Sequence, residues 1–154
     1  MNQLEILIDK AYQEGITIVE KDLKSKAKGL CKGNKIAINK SVITIKEKAC
    51  ILAEELGHYY TTVGNIINPQ DVKNRKQELK AKFWAYNEQI GLMGIIKAYE
   101  AKCYNLFEMA EYLDVTEEFL LETINCYKSK YGVFTEIDNY IIYFEPNLVV
   151  MKRM

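Results

Sequence analysis

The chain has 154 residues, room for one domain, and 49% of them are apolar, including eleven tyrosines, which is ample for a packed core. Lysine plus arginine balances aspartate plus glutamate at 21 each, so no global field directs the protein to nucleic acid or to a membrane surface. No apolar run approaches the ~20 residues of a membrane span.

The N-terminal MNQLEILIDKAYQEG places Leu4, Ile6, Leu7, Ala11 and Tyr12 at helical spacing, with Gly15 as the stop. Glu5 and Asp9 interrupt it, which makes it an amphipathic helix and not the continuous apolar core of a signal peptide. Ile16 to Val19 is short, β-branched and strand-like, and Lys21 to Ala27 is expected as a brief helix with a solvated lysine face. Gly33-Asn34 between apolar flanks predicts a hairpin of Leu30–Cys31 and Ile36–Ile38, with Ala37 on the opposite face from the two isoleucines. A buried helix follows from about Ile45 to Thr62, ended by Gly64 and a loop NIINPQDVKN around Pro69. Gly57 stands out inside it, because a mid-helix glycine costs about 1 kcal/mol against alanine. Close approach of another segment would account for it.

Helix resumes over Arg75 to Gln89, weakens at Gly91-Leu92-Met93-Gly94 and continues from Ile95 to Ala101. Asn105 to Tyr112 and Thr116 to Lys130 are two further helices, the second capped by Thr116 with an acidic first turn. After Gly132, VFTEI and YIIYF around Asp138-Asn139 read as a β-hairpin, and the tail NLVVMKRM carries no pattern. Cys31, Cys50, Cys103 and Cys126 form no CxxC pair, so they are expected as reduced core thiols of a cytoplasmic protein.

The chemistry concentrates in KACILAEELGHYYTTVG, residues 48–64, which holds the single histidine, His58. Glu54 and His58 are four apart and share a helix face, while Glu55 leaves the same turn in another direction. This is the HExxH metallopeptidase layout with glutamate at the first histidine. Two adjacent carboxylates in an otherwise apolar helix are costly unless they meet a cation or hydrogen-bond donors. A zinc-peptidase site needs three ligands, an open position for water and a carboxylate to take that water's proton. Glu54 and His58 supply two ligands and Glu55 the base. The next helix offers Glu78 as the third ligand, with Glu88 as the fallback. A di-iron site needs two E-x-x-H motifs and fails on the histidine count, and no cysteine or serine has a triad context.

FEMAEYLDVTEEFLLETI has the outline of two helix-turn-helix helices, but Lys102 to Gly132 carries three basic residues (Lys102, Lys128, Lys130) against six acidic ones (Glu108, Glu111, Asp114, Glu117, Glu118, Glu122). The would-be recognition helix, Thr116 to Cys126, has no lysine or arginine, so the segment reads as scaffold or partner surface and not as a nucleic-acid binder.

The runs IAINKS, KACILAEELGHYYTTVG, QELKAKFWAY, AEYLDVTEEFL and YIIYFEP resemble the ImmA/IrrE family of metallopeptidases over nearly the whole chain, closest to the small proteins of phages and integrated elements. The resemblance implies Glu55 as general base, His58 as second-histidine ligand and Glu78 as third ligand, and Glu54 departs from the pattern at the first histidine. It implies an α+β fold: a zincin-like minimal core with a small N-terminal sheet packed on the active-site helices, a helical extension and a C-terminal β-hairpin. The core is expected over residues 1–100 and the extension over 101–154, packed as one domain. One divalent metal is implied, zinc first; oxygen-rich ligation by Glu54 and Glu78 also admits manganese. The implied activity is endopeptidase action on a helix-turn-helix repressor of a phage or mobile element, with the substrate extended along Ile36 to Ile38 and Tyr59 or Tyr60 as oxyanion donor. The alternative is a metal-free pseudo-enzyme that binds and antagonises such a regulator.

Overall fold

The computed structural model describes residues 2–61 and 73–153 of the chain. Helix α1 (Gln3–Gln13) is capped by Asn2, whose side chain accepts from the Glu5 amide, and it buries Leu7 and Ala11. Gly15, at φ +77°, turns the chain into strand β1 (Thr17–Lys21). Residues 22–28 are irregular instead of the expected brief helix. Their lysines leave only Leu23 to bury, too little to hold a helix on the body. Strands β2 (Gly29–Lys32) and β3 (Lys35–Asn39) form the expected hairpin about Gly33-Asn34, with Lys32 opposite Lys35.

The strand order is β1-β3-β2, with β3 parallel to β1 and antiparallel to β2. Ile36 to Ile38 is therefore the centre of this sheet and not a substrate-accepting edge. Its backbone is engaged on both sides, and Ile36, Ala37 and Ile38 are all buried. Among the described residues β1 and β2 are the edges of the sheet.

Helix α2 (Ile45–Thr61) packs on β2, β3 and α1 through Ala49, Cys50, Ile51, Leu52, Ala53, Leu56 and Gly57. Ion pairs Lys48–Glu20 (2.7 Å) and Lys28–Glu47 (2.9 Å) tether its first turns to the sheet side. The predicted stop at Gly64 and the loop around Pro69 fall among residues 62–72, outside the described residues. Helix α3 (Lys73–Gln89) follows, and its Ala81 and Ala85 are fully buried.

The chain divides into two compact units, Met1–Glu88 and Gln89–Met154. In the second unit the predicted weak point is confined to Gly91, at φ +68°, and α4 (Gly91–Glu100) runs straight through Gly94. Helix α5 (Leu106–Leu113) is capped by Asn105 and ends on Asp114 in the left-handed region at φ 57°. Helix α6 (Glu117–Tyr131) starts at Thr116, which accepts from the Phe119 amide at 3.0 Å. The expected C-terminal hairpin, β4 (Phe134–Ile137) and β5 (Tyr140–Tyr143), is completed by β6 (Val149–Lys152), which pairs antiparallel with β5. The tail thus adds a third strand, whose buried Val150 lies opposite Ile142.

The architecture is α+β, with six helices and two three-stranded sheets among the described residues. No disulfide joins the four cysteines among the described residues. No described helix is long and apolar enough to cross a membrane.

Candidate active site

Gly57 builds this site. A Cβ placed on it would run into the carbonyl oxygen of Ala81 on α3 and lie 2.9 Å from that carbonyl carbon. The backbones of α2 and α3 therefore touch where Gly57 has no side chain, and the fully buried Ala81 and Ala85 keep the facing surface of α3 flat. Glu78 lies one turn before Ala81 and His58 one residue after Gly57, so the same contact carries both to one place. His58 Nε2 stands 3.2 Å from Glu78 Oε2, with the imidazole mostly covered and the carboxylate half exposed.

The pair polarises both partners. The hydrogen bond to Glu78 raises the His58 pKa, and the same bond lowers that of Glu78. Glu55 and Glu54 push His58 further in the same direction. Glu55 itself is raised from an ordinary 4.5 to about 7, first by burial, with Glu54 and Glu78 adding to the rise and His58 opposing it. The side chains of Glu54, Glu55, His58 and Glu78 thus share one electrostatic neighbourhood. A half-exposed ion pair contributes only about 0–1 kcal/mol, and packing three carboxylates around one imidazole works against stability. That cost points to a site and not to a structural role.

The chemistry of the donor set suits a divalent cation. Two ligands about 2.1 Å from a tetrahedral zinc lie roughly 3.3 Å apart, and the 3.2 Å between His58 and Glu78 matches that edge. Among the described residues no group of three or more His, Cys, Asp or Glu side chains is closed around a single point. Glu54 lies one turn before His58 on the same helix face. Glu88, the fallback ligand, is engaged elsewhere: it accepts from Lys10 Nζ at 2.6 Å. Tyr60 is likewise taken, since its hydroxyl donates to Glu14 at 2.5 Å and its ring lies 5.0 Å from that of Trp84. It joins α1, α2 and α3 and is not available to an oxyanion. Tyr59 meets the edge of Tyr60 at 5.2 Å.

Three residues that sequence reasoning passed over also reach the site. The backbone of Gly29 on β2 lies directly against Glu55. The thiol of Cys31, two residues along the same strand face, is pushed up to about 11 by burial and by the charge of Glu55. The charge of Lys82, one turn past Glu78, helps keep that carboxylate ionised. The only sequence signal for the first two was their alternation with Leu30 and Lys32.

Fold and site together define a small peptidase-type domain, in which an E-E-x-x-H helix is joined by a glutamate from the following helix. The chain belongs to the peptidase family described as the IrrE N-terminal-like domain, which matches residues 11–125. No curated protein and no solved structure matches the chain.

The helix crossing can be tested by substitution. Gly57→Ala must push α3 away, at a cost on the order of 2–4 kcal/mol. His58 is the single histidine, so its NMR titration reads the contact directly: its pKa should fall back towards ~6.5 in that variant, and an unchanged titration would contradict the contact. A second outcome concerns pH. Glu55 binds its proton more tightly in the fold than in the unfolded chain, so the stabilisation it confers is full below pH 4.5 and is lost as pH rises through about 7. His58, also raised, acts in the same direction. Glu78, lowered, contributes above the ordinary carboxylate range and loses that contribution only in acid. Metal-free Glu55→Gln should therefore exceed the wild type in stability at pH 8 by on the order of 1–3 kcal/mol and match it near pH 4.5. Thermal melts with equal offsets at both pH values would refute this.

Proposed function

We propose that the protein is a metal-dependent endopeptidase that cuts a regulatory protein, a helix-turn-helix repressor of a phage or mobile element. The observation that carries the peptidase part is the His58–Glu78 pair at 3.2 Å beside a carboxylate, Glu55, that titrates near 7. Glu54, His58 and Glu78 would hold the ion, zinc or manganese. When bound, it supplies the Lewis acidity that polarises a water and a scissile carbonyl.

The protein's own groups do the proton work. Glu55 would accept the proton of the attacking water and return it to the leaving amine, and a bound cation would lower its pKa so that it is ionised for the first step. Contacts with α2 and β2 leave that carboxylate only partly exposed. The substrate is read as an added strand on the outer edge of β2, which passes closest to Glu55, and not on β3, whose two sides are already paired. The choice of a repressor as substrate rests on the family resemblance of the sequence.

Glu54 tempers this activity. With two anionic ligands and one neutral one, a divalent ion is nearly neutralised and activates water less than a two-histidine site does. Co-expression with the repressor encoded beside it tests the reading on a gel. Wild type should cut the repressor. Glu55→Gln should abolish cleavage and leave the ion bound, and Glu54→His should raise both metal affinity and rate, each by about tenfold or more. A repressor that is bound but intact across a range of zinc and manganese would replace the enzyme with a binding module.

A further inference from the structure

We infer that Gly29, on the edge strand β2, is a positioning residue for Glu55: its bare backbone is the wall against which the carboxylate is set. The described glycines fall into two kinds. Gly15, Gly33, Gly91 and Gly132 all have φ between +59° and +81° with open space where a Cβ would stand, so they serve the backbone. Gly29 has no such φ. A Cβ on it would lie 2.9 Å from both Cγ and Oε2 of Glu55 and 2.8 Å from Cγ2 of Ile51, one turn earlier on α2. Glycine is needed here for space alone.

The strand is not free to retreat. Gly29 sits opposite Ile38 in the β2–β3 ladder. Just before it, the Lys28 carbonyl accepts from the Asn39 amide at 2.8 Å and the Ala27 carbonyl accepts from Asn39 Nδ2 at 2.9 Å. Ile51 is a stiff, β-branched side chain on a buried helix. The strand is anchored, so the two side chains that face it must give, Ile51 by a small shift and the longer Glu55 side chain by turning away. A methyl group at position 29 would therefore turn the carboxylate away while leaving α2, His58 and Glu78 in place. Because β2 is also an edge strand, the backbone that fixes Glu55 is the one an added substrate strand would pair with. Base and scissile bond would then be referred to a single strand, so that an error in one is not compounded by an error in the other.

The catalytic consequence rests on the peptidase reading, whereas the contact itself does not, and the test separates them. Thermal unfolding of the metal-free protein is compared for wild type, Gly29→Ala, Glu55→Ala and the double variant. The drop in Tm caused by Gly29→Ala should shrink by roughly half when Glu55 is already alanine, because that clash partner is gone and only the Ile51 contact remains. If Gly29→Ala alone does not fold, recovery of folding in the double variant is the same result. An equal drop in both backgrounds, or a double variant as crippled as the single one, overturns the inference. Zinc titrated into Gly29→Ala should bind within about twofold of the wild-type affinity, since Glu55 is not a ligand. On a quenched fluorescent peptide library, kcat should fall by about tenfold or more with KM nearly unchanged. A variant with full kcat, or one that has lost zinc, also overturns it. If the wild type cuts no peptide while the stability coupling is present, the peptidase reading fails and the positioning contact stands.

Discussion

The constraint on which the site depends is the contact of two helix backbones at Gly57 and Ala81. Any side chain at position 57 would collide with the Ala81 carbonyl. Without that approach Glu78 would not reach His58, and the E-E-x-x-H helix would carry its carboxylates with no partner from α3. A mid-helix glycine lowers helix propensity by about 1 kcal/mol, and close packing of the buried Ala81 and Ala85 offsets that cost. Around the crossing, Tyr60 with Glu14, Lys10 with Glu88, and Lys10 lying 5.4 Å from the centre of the Trp84 ring tie α1 to α2 and α3. These contacts hold the angle at which the two ligand-bearing helices meet.

Packing provides the stability and electrostatics opposes part of it. Glu55 lies largely shielded beside two other carboxylates, and burial is the main reason its pKa rises. His58 and Glu78 relieve part of the repulsion by sharing a proton in an ion pair, with both shifts running in the direction that favours the charged partners. A cation placed among these groups would relieve the rest. In the proposed reading a cation offsets that repulsion, and glutamate in place of histidine at position 54 weakens both its binding and what it can do for water.

Much of this was legible in the sequence, residue by residue. The helical spacing of α1, α2 and α6, the Gly33-Asn34 turn and the Thr116 cap are local signals and appear where expected. Register alone does not separate Glu78 from Glu88, since both fall within about 60° of Ala81 and Ala85 on a helical wheel; Glu78 is preferred because Glu88 lies beyond Trp84, towards the Gly91 break. Strand order was not legible. Nothing in IAIN says that β3 will be flanked on both sides, because pairing is decided by partners distant in sequence. The same holds for β6, from a four-residue apolar run, Leu148 to Met151, that becomes a strand only by lying against β5. Lys21 to Ala27 misled through its lysine spacing, which describes a polar face with no apolar face to bury. Gly57 was visible as an anomaly without its cause, and Gly29 was invisible because the atom that excludes a side chain there belongs to Glu55, on another element.

The central claim is that the His58–Glu78 pair is one edge of an ion site and not a structural salt bridge. In the pair, His58 Nε2 holds a proton towards Glu78, and an ion can bind that nitrogen only by displacing it. Calorimetric titration of zinc into the protein near pH 6.5, repeated in buffers of different ionisation enthalpy, counts the protons released. The expected result is one ion per chain with release of up to about two protons, one from His58 and one from the protonated fraction of Glu55, declining as the pH is raised through about 7. Zinc binding with no proton release at any pH, or no binding at all, would contradict it.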